Sequence, residues 1–248
     1  MPSRTPELPP RLAALGPADF DGRSTRSTTR AAPGRVVASD GRVYWVKSAQ
    51  SGSAVNDRLA AELVAGWIAS LLGIGPGVAI VDLPPLADLG WDDLVGVCFG
   101  SREVEGAFNL RNASHRATKG AVDLQRVALL VTFQTWIGHE DVQALCQPSG
   151  DVWSIDHEVY AAFRCETSVT LALTPELPGL LGSRRPAPSD YNQAIDRIRN
   201  LSAGKLSLIA PQLPYSSQGW SNRVHIDAVI RTLESRRNSL DAPMLSAW

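Results

Sequence analysis

Val36-Val37-Ala38-Ser39-Asp40-Gly41-Arg42-Val43-Tyr44-Trp45-Val46-Lys47 is the stretch on which the fold turns. Two β-branched or aromatic runs flank Ser39-Asp40-Gly41-Arg42, and Asp-Gly between such runs is a strong hairpin signal. Beyond it, Arg58 to Leu72 reads as a buried helix, ended by Gly73-Ile74-Gly75-Pro76-Gly77. Val78 to Asp82 and Leu94 to Phe99 read as strands, the second closing at Gly100-Ser101. Leu63 to Val81 carries no charge, but the glycine–proline cluster splits it, so a helix and a strand are expected rather than a membrane span.

The rest of the chain is expected to be mostly helical. Val122 to Ile137 reads as a buried helix ended by Gly138, and Asp151 to Asp156 as a short strand. Leu177 to Asp190 reads as a loop, Ser189 as the cap of a helix reaching Arg199, and Asn222 to Arg236 as a last amphipathic helix. Asp21 to Arg30 is small, polar and basic, hence a loop. The expected organisation is a disordered proline-rich start (1–12), a small β-rich lobe with one helix (13–104) and a larger helical lobe (105–248), an α+β fold.

Composition excludes several classes. The 248 residues carry 24 Lys+Arg against 25 Asp+Glu, so no global basic field points to nucleic acid or a membrane surface. Cys98, Cys146 and Cys165 form no CxxC pair, and the N-terminus lacks the apolar core of a signal peptide. A cytoplasmic protein without a disulfide framework is expected.

Lysine usage points to chemistry. Only three lysines stand against 21 arginines, yet Lys47 ends an apolar strand. Burying an ammonium there is costly unless an anion meets it. Glu62, in the first turns of the apolar helix, is a candidate partner, because a strand Lys held by a helix Glu can fix an ammonium on phosphates. The other reading is a Lys snorkelling to solvent and a Glu favoured by the helix dipole. Asp141 follows the buried helix and Asp156 ends a strand fifteen residues later. Such a pair can orient a hydroxyl nucleophile and hold Mg²⁺, or can simply be turn and cap residues.

Taken in order, Val46-Lys47, Ala61-Glu62, Trp136-Ile137-Gly138-x-x-Asp141 and Ile155-Asp156-His157 resemble the HipA-like kinase family, bacterial relatives of protein kinases. The resemblance runs from about Leu15 to about Leu233. It implies a protein-kinase-like two-lobed fold and an ATP-dependent phosphotransferase. Lys47 would hold the ATP phosphates, Glu62 would fix Lys47, Asp141 would be the catalytic base and Asp156 the Mg²⁺ ligand. The Gly22-Arg23-Ser24-Thr25 stretch falls at the family's phosphate loop, where Ser24 would be autophosphorylated. Phe99-Gly100-Ser101 falls at the hinge that meets adenine.

There are departures. His139 stands where the family has Asn, Cys146 where it has a second metal-binding Asn, and Glu158 where a small residue is expected. A thiol is a poor ligand for a hard cation, so Gln143 is the candidate replacement. These changes keep open a pseudokinase that binds nucleotide or a protein partner without transfer. The acceptor could be a protein serine, a peptide or a small molecule. A zinc site from His139, Cys146, His157 and Cys165 lacks paired spacing, and no GxSxG elbow supports a serine hydrolase.

Overall fold

The computed structural model describes residues 8–20, 23–24, 33–49, 58–86, 91–110, 122–141, 143–158, 160–173, 177–215, 217 and 220–248. Three short strands come first: β1 (Arg11–Pro17), β2 (Asp19–Phe20) and β3 (Arg23–Ser24). The hairpin of β4 (Gly34–Ala38) and β5 (Val43–Lys47) lies where Asp40-Gly41 places it, with Gly41 at φ 75°. Helix α1 (Arg58–Leu71), β6 (Val78–Leu83) and β7 (Gly96–Arg102) follow, each within a few residues of its expected bounds.

These strands do not form the small lobe of a two-lobed α+β fold. They close into a barrel in the order β1-β4-β5-β7-β6, the ring being completed by a parallel pairing of β1 with β6. This corrects the expected protein-kinase-like pair of lobes. Strand β1 starts at Arg11, inside the stretch expected to lack structure, and the Arg11 guanidinium holds Asp82 of β6 at 2.8 Å through Nε and Nη2. The barrel has its own core of Val36, Tyr44, Val46, Val81, Leu83 and Cys98. It is full at Gly100, where a Cβ would stand 2.7 Å from Val81 Cγ2. Alternation along the strands turns Val78, Ile80 and Phe99 outward, into a second core shared by α1 and the C-terminal helices. Because α1 belongs to that second core, apolar packing runs unbroken from the barrel wall into the helical part.

The helical part is built on α2 (Leu124–Ile137). Asp123 caps its start by accepting from the Gln125 and Arg126 amides, and Gly138 ends it in the left-handed conformation. Strands β8 (Phe108–Asn109), β9 (Gln143–Cys146) and β10 (Val152–Ile155) make a three-stranded antiparallel sheet beside it. The stretch around Gln143, expected to be a loop, is thus a strand. A 3-10 turn (Ala161–Arg164) precedes α3 (Leu177–Leu181), which forms within an expected loop. Helices α4 (Pro188–Arg199), α5 (Ala203–Ser207), α6 (Arg223–Arg237) and α7 (Ala242–Leu245) complete the chain. Among the described residues no helix is long and apolar enough to cross a membrane.

Candidate functional site

A cleft of about 490 Å³ lies between the barrel wall, α1 and the three-stranded sheet. Register explains its wall. Lys47 pairs with Phe99 and Trp45 with Ser101 across β5 and β7, so all four side chains leave the same face of the barrel. Tyr44 and Val46, between them, fill the barrel interior. From the other side, Glu62 of α1 and Asp156, the residue after β10, close the cleft floor. Five of the residues singled out by sequence therefore converge on one cavity: Lys47, Glu62, Phe99, Ser101 and Asp156.

The floor is ionic. Lys47 Nζ donates to Glu62 Oε1, to Asp156 Oδ1 at 2.6 Å and to Glu158 Oε1 at 2.8 Å. Glu158 also accepts from Arg58 Nη1 at 3.0 Å. Glu62 is 1% exposed, and its second oxygen accepts the His157 amide at 3.0 Å. Burial by itself would lower the Lys47 pKa, but the charges of Glu62, Asp156 and Glu158 outweigh it and raise it, so the ammonium stays protonated. Burial raises Glu62 to about 7 against the pull of Lys47. Asp156 is held below its ordinary value, because Lys47 overcomes the cost of burial.

Asp156 has φ 60°, a left-handed conformation that aspartate tolerates better than most residues. Its carbonyl oxygen lies 2.9 Å from His139 Nε2, and its second carboxylate oxygen accepts from Gln143 Nε2. Gln143 sits at the start of β9, opposite Ile155, so the sheet register brings it beside Asp156. The same amide nitrogen is 3.4 Å from Asp141 Oδ2, placing the exposed Asp141 one side chain away from Asp156. Asn109 Nδ2 approaches Gln143 Oε1 at 3.4 Å. Cys146 is buried in the core on β9, with its thiol donating to the Gln147 carbonyl.

Oxygens of Glu62, Asp156 and Glu158 lie within 4.8 Å of one another, a hard donor set suited to a divalent cation. Gln143 would join it by presenting its amide oxygen after a flip of the group. Gly22 lies outside the described residues, and Ser24 is described only as part of β3, paired with Asp19.

Sequence reasoning treated Glu158 only as a departure and passed over Arg58, Trp45 and Asn109. Glu158 stands two residues beyond Asp156, and that spacing was the available signal. The left-handed turn at Asp156 is what brings Glu158 onto Lys47. The Arg35–Glu103 bidentate pair at the cleft rim, 2.9 and 2.6 Å, was not foreseen either.

No protein-family model and no curated protein sequence matches the chain. Among solved structures it is similar to the FAT and kinase domain of CtTel1, at 13% identity and a TM-score of 0.44 over 88% of this chain and 21% of that one. The open conformation of CtTel1 and the complete CtTel1 dimer with C2 symmetry match with the same identity and TM-score, over 88% of this chain and 11% of theirs. The chain thus spans 11% to 21% of the length of these chains, and the likeness to a kinase-containing structure is distant.

Proposed function

We propose that the cleft binds ATP with Mg²⁺ and that the protein is a phosphotransferase moving the γ-phosphoryl group to a hydroxyl acceptor, as the HipA-like resemblance implies. The observation that carries this reading is Lys47, held at the floor of a cleft by Glu62 and Asp156 beneath the Phe99–Ser101 wall. An ammonium fixed on a rigid strand suits the charge of a polyphosphate, and the apolar wall of Trp45 and Phe99 suits a base. Mg²⁺, held by Asp156 with Gln143, would supply charge neutralisation between the β- and γ-phosphates.

In this reading Asp141 aligns the acceptor hydroxyl and takes its proton as the oxygen–phosphorus bond forms. The bond from the γ-phosphorus to the bridging oxygen breaks, and its electron pair leaves with ADP. Catalysis comes from positioning and electrostatics. Autophosphorylation of Ser24 remains part of the proposal, as does an acceptor that is a protein, a peptide or a small molecule.

Burial of Cys146 favours a second reading, binding of nucleotide without transfer, because that position offers no oxygen ligand for a second metal. Thermal midpoints with and without ATP, each with and without Mg²⁺, separate the two. A site with a dissociation constant a hundredfold below the ligand concentration gains about 2.7 kcal/mol. A Mg²⁺-dependent rise that is lost in Asp156→Ala supports the kinase reading. A rise indifferent to Mg²⁺ supports binding alone, and no rise removes both.

A further inference from the structure

An ammonium has three N–H donors and no acceptor. On Lys47 all three are taken, by Glu62, Asp156 and Glu158. A phosphate oxygen therefore finds no donor on this lysine until one carboxylate leaves. The three are not held alike. Glu62 is buried and also accepts the His157 amide. Asp156 accepts from Gln143 and is anchored through its carbonyl by His139. Among the described residues Glu158 accepts from two cations only, Lys47 and Arg58, and from no backbone amide. It is the carboxylate with the least to lose.

We infer that Glu158 occupies the place of a ligand phosphate on Lys47, and that phosphate enters the cleft by displacing it. The inference rests on the triphosphate reading of the cleft. Once displaced, Glu158 stays with Arg58, whose buried Nε has no hydrogen-bond partner among the described residues. Lys47 then keeps Glu62 and Asp156 and donates its third N–H to a phosphate oxygen of the ligand as a hydrogen bond. Such an exchange costs nothing to a ligand without phosphates, which never reaches Lys47, and favours one with enough negative charge to replace the lost ion pair. Glu158 is thus a specificity residue that sets the anionic charge a ligand must bring.

The test is calorimetric titration of ATP, adenosine and inorganic tripolyphosphate, without divalent cation, into the full chain. Wild type, Glu158→Gln, Lys47→Met and the double variant are compared. Glu158→Gln should tighten ATP and tripolyphosphate about tenfold, equivalent to about 1.4 kcal/mol, and leave adenosine unchanged. The gain should vanish in the Lys47→Met background. Glu158→Ala carries the same expectation if the glutamine variant fails to fold. ATP bound equally by wild type and Glu158→Gln overturns the displacement and leaves the triphosphate reading standing. A gain that survives Lys47→Met overturns it as well. Tripolyphosphate bound more tightly by Glu158→Gln, with ATP bound by neither protein, keeps the displacement and removes the nucleotide. Absence of binding for all three ligands overturns both.

Discussion

His139 Nε2 stands 2.9 Å from the carbonyl oxygen of Asp156, so the carboxylate on the cleft floor is carried by a buried imidazole. Since a carbonyl only accepts, Nε2 bears the proton, and the buried Nδ1 has no partner among the described residues. The His139 ring lies 5.2 Å from that of His157, whose Nε2 meets Ser154 Oγ at 2.8 Å. Behind the ionic floor, Asp156 therefore rests on the His139 ring, which is tilted 36° to that of His157.

That arrangement sets a pH dependence. Burial lowers the pKa of both rings, His157 furthest, with His139 adding to the effect there. A histidine depressed in the folded state gains a proton on unfolding, so its contribution is intact above 6.5 and drains away as pH falls below it. Glu62 works the other way: raised to about 7 from 4.5, it favours the folded state increasingly as pH drops through that interval. Comparing His157→Gln with wild type cancels the Glu62 part. The variant's thermal midpoint should fall less between about pH 7.5 and about pH 5.5. Parallel curves would remove His157 as the titrating group.

Removing the central cation exposes the repulsion it hides. In Lys47→Met three carboxylates would face one another with Arg58 as the cation left beside them. Breaking a buried ion pair this way costs about 3–5 kcal/mol. The loss should shrink below about pH 5, where the carboxylates take up protons. Urea melts at neutral and acid pH measure it, and a loss that does not change with pH would mean packing rather than charge.

The junction behind α2 is a separate point of sensitivity. Arg236 is fully buried, and its guanidinium caps the carbonyls of Thr135, Trp136, Glu166 and Ser168. Gly138 has φ 72°, and a Cβ there would stand 2.5 Å from an Arg236 nitrogen and 2.7 Å from Ala161 Cβ. Gly138→Ala should cost about 2 kcal/mol or more from left-handed strain and the clash together. Arg236→Lys should not spare the fold, because one ammonium cannot reach four carbonyls that a planar fork spans. Chemical denaturation of both variants checks this, and a lysine variant as stable as wild type would refute the capping role.

Asp141 and Asp156 should separate in function. Asp141 is exposed and meets Gln143 rather than Lys47, Glu62 or Asp156 in the hydrogen bonds of the described floor, so Asp141→Asn should leave ATP affinity nearly unchanged. If it is the base, its loss should slow transfer by about a hundredfold or more. Asp156→Ala should abolish Mg²⁺-dependent binding instead. Radiolabelled phosphate transfer beside calorimetry reads the two effects, and full transfer by Asp141→Asn would sink its assignment.

Local sequence determined much of this protein. Asp40-Gly41 placed the hairpin, the glycine–proline cluster ended α1, and Gly138 ended α2, because turns and helix ends depend on a few neighbouring residues. Scarce lysine and isolated acids marked Lys47, Glu62, Asp141 and Asp156, since charges near apolar runs demand partners. Tertiary structure alone decided the closure of the barrel. Local sequence did not mark β1 as a strand, still less place it between β4 and the distant β6, because pairing energy belongs to strands far apart in the chain. Tertiary structure also decided that Lys47 faces Phe99 and that a left-handed Asp156 turns Glu158 onto the same ammonium. Neither register nor a single backbone angle leaves a mark in composition or spacing, yet together they determine how many anions Lys47 already holds.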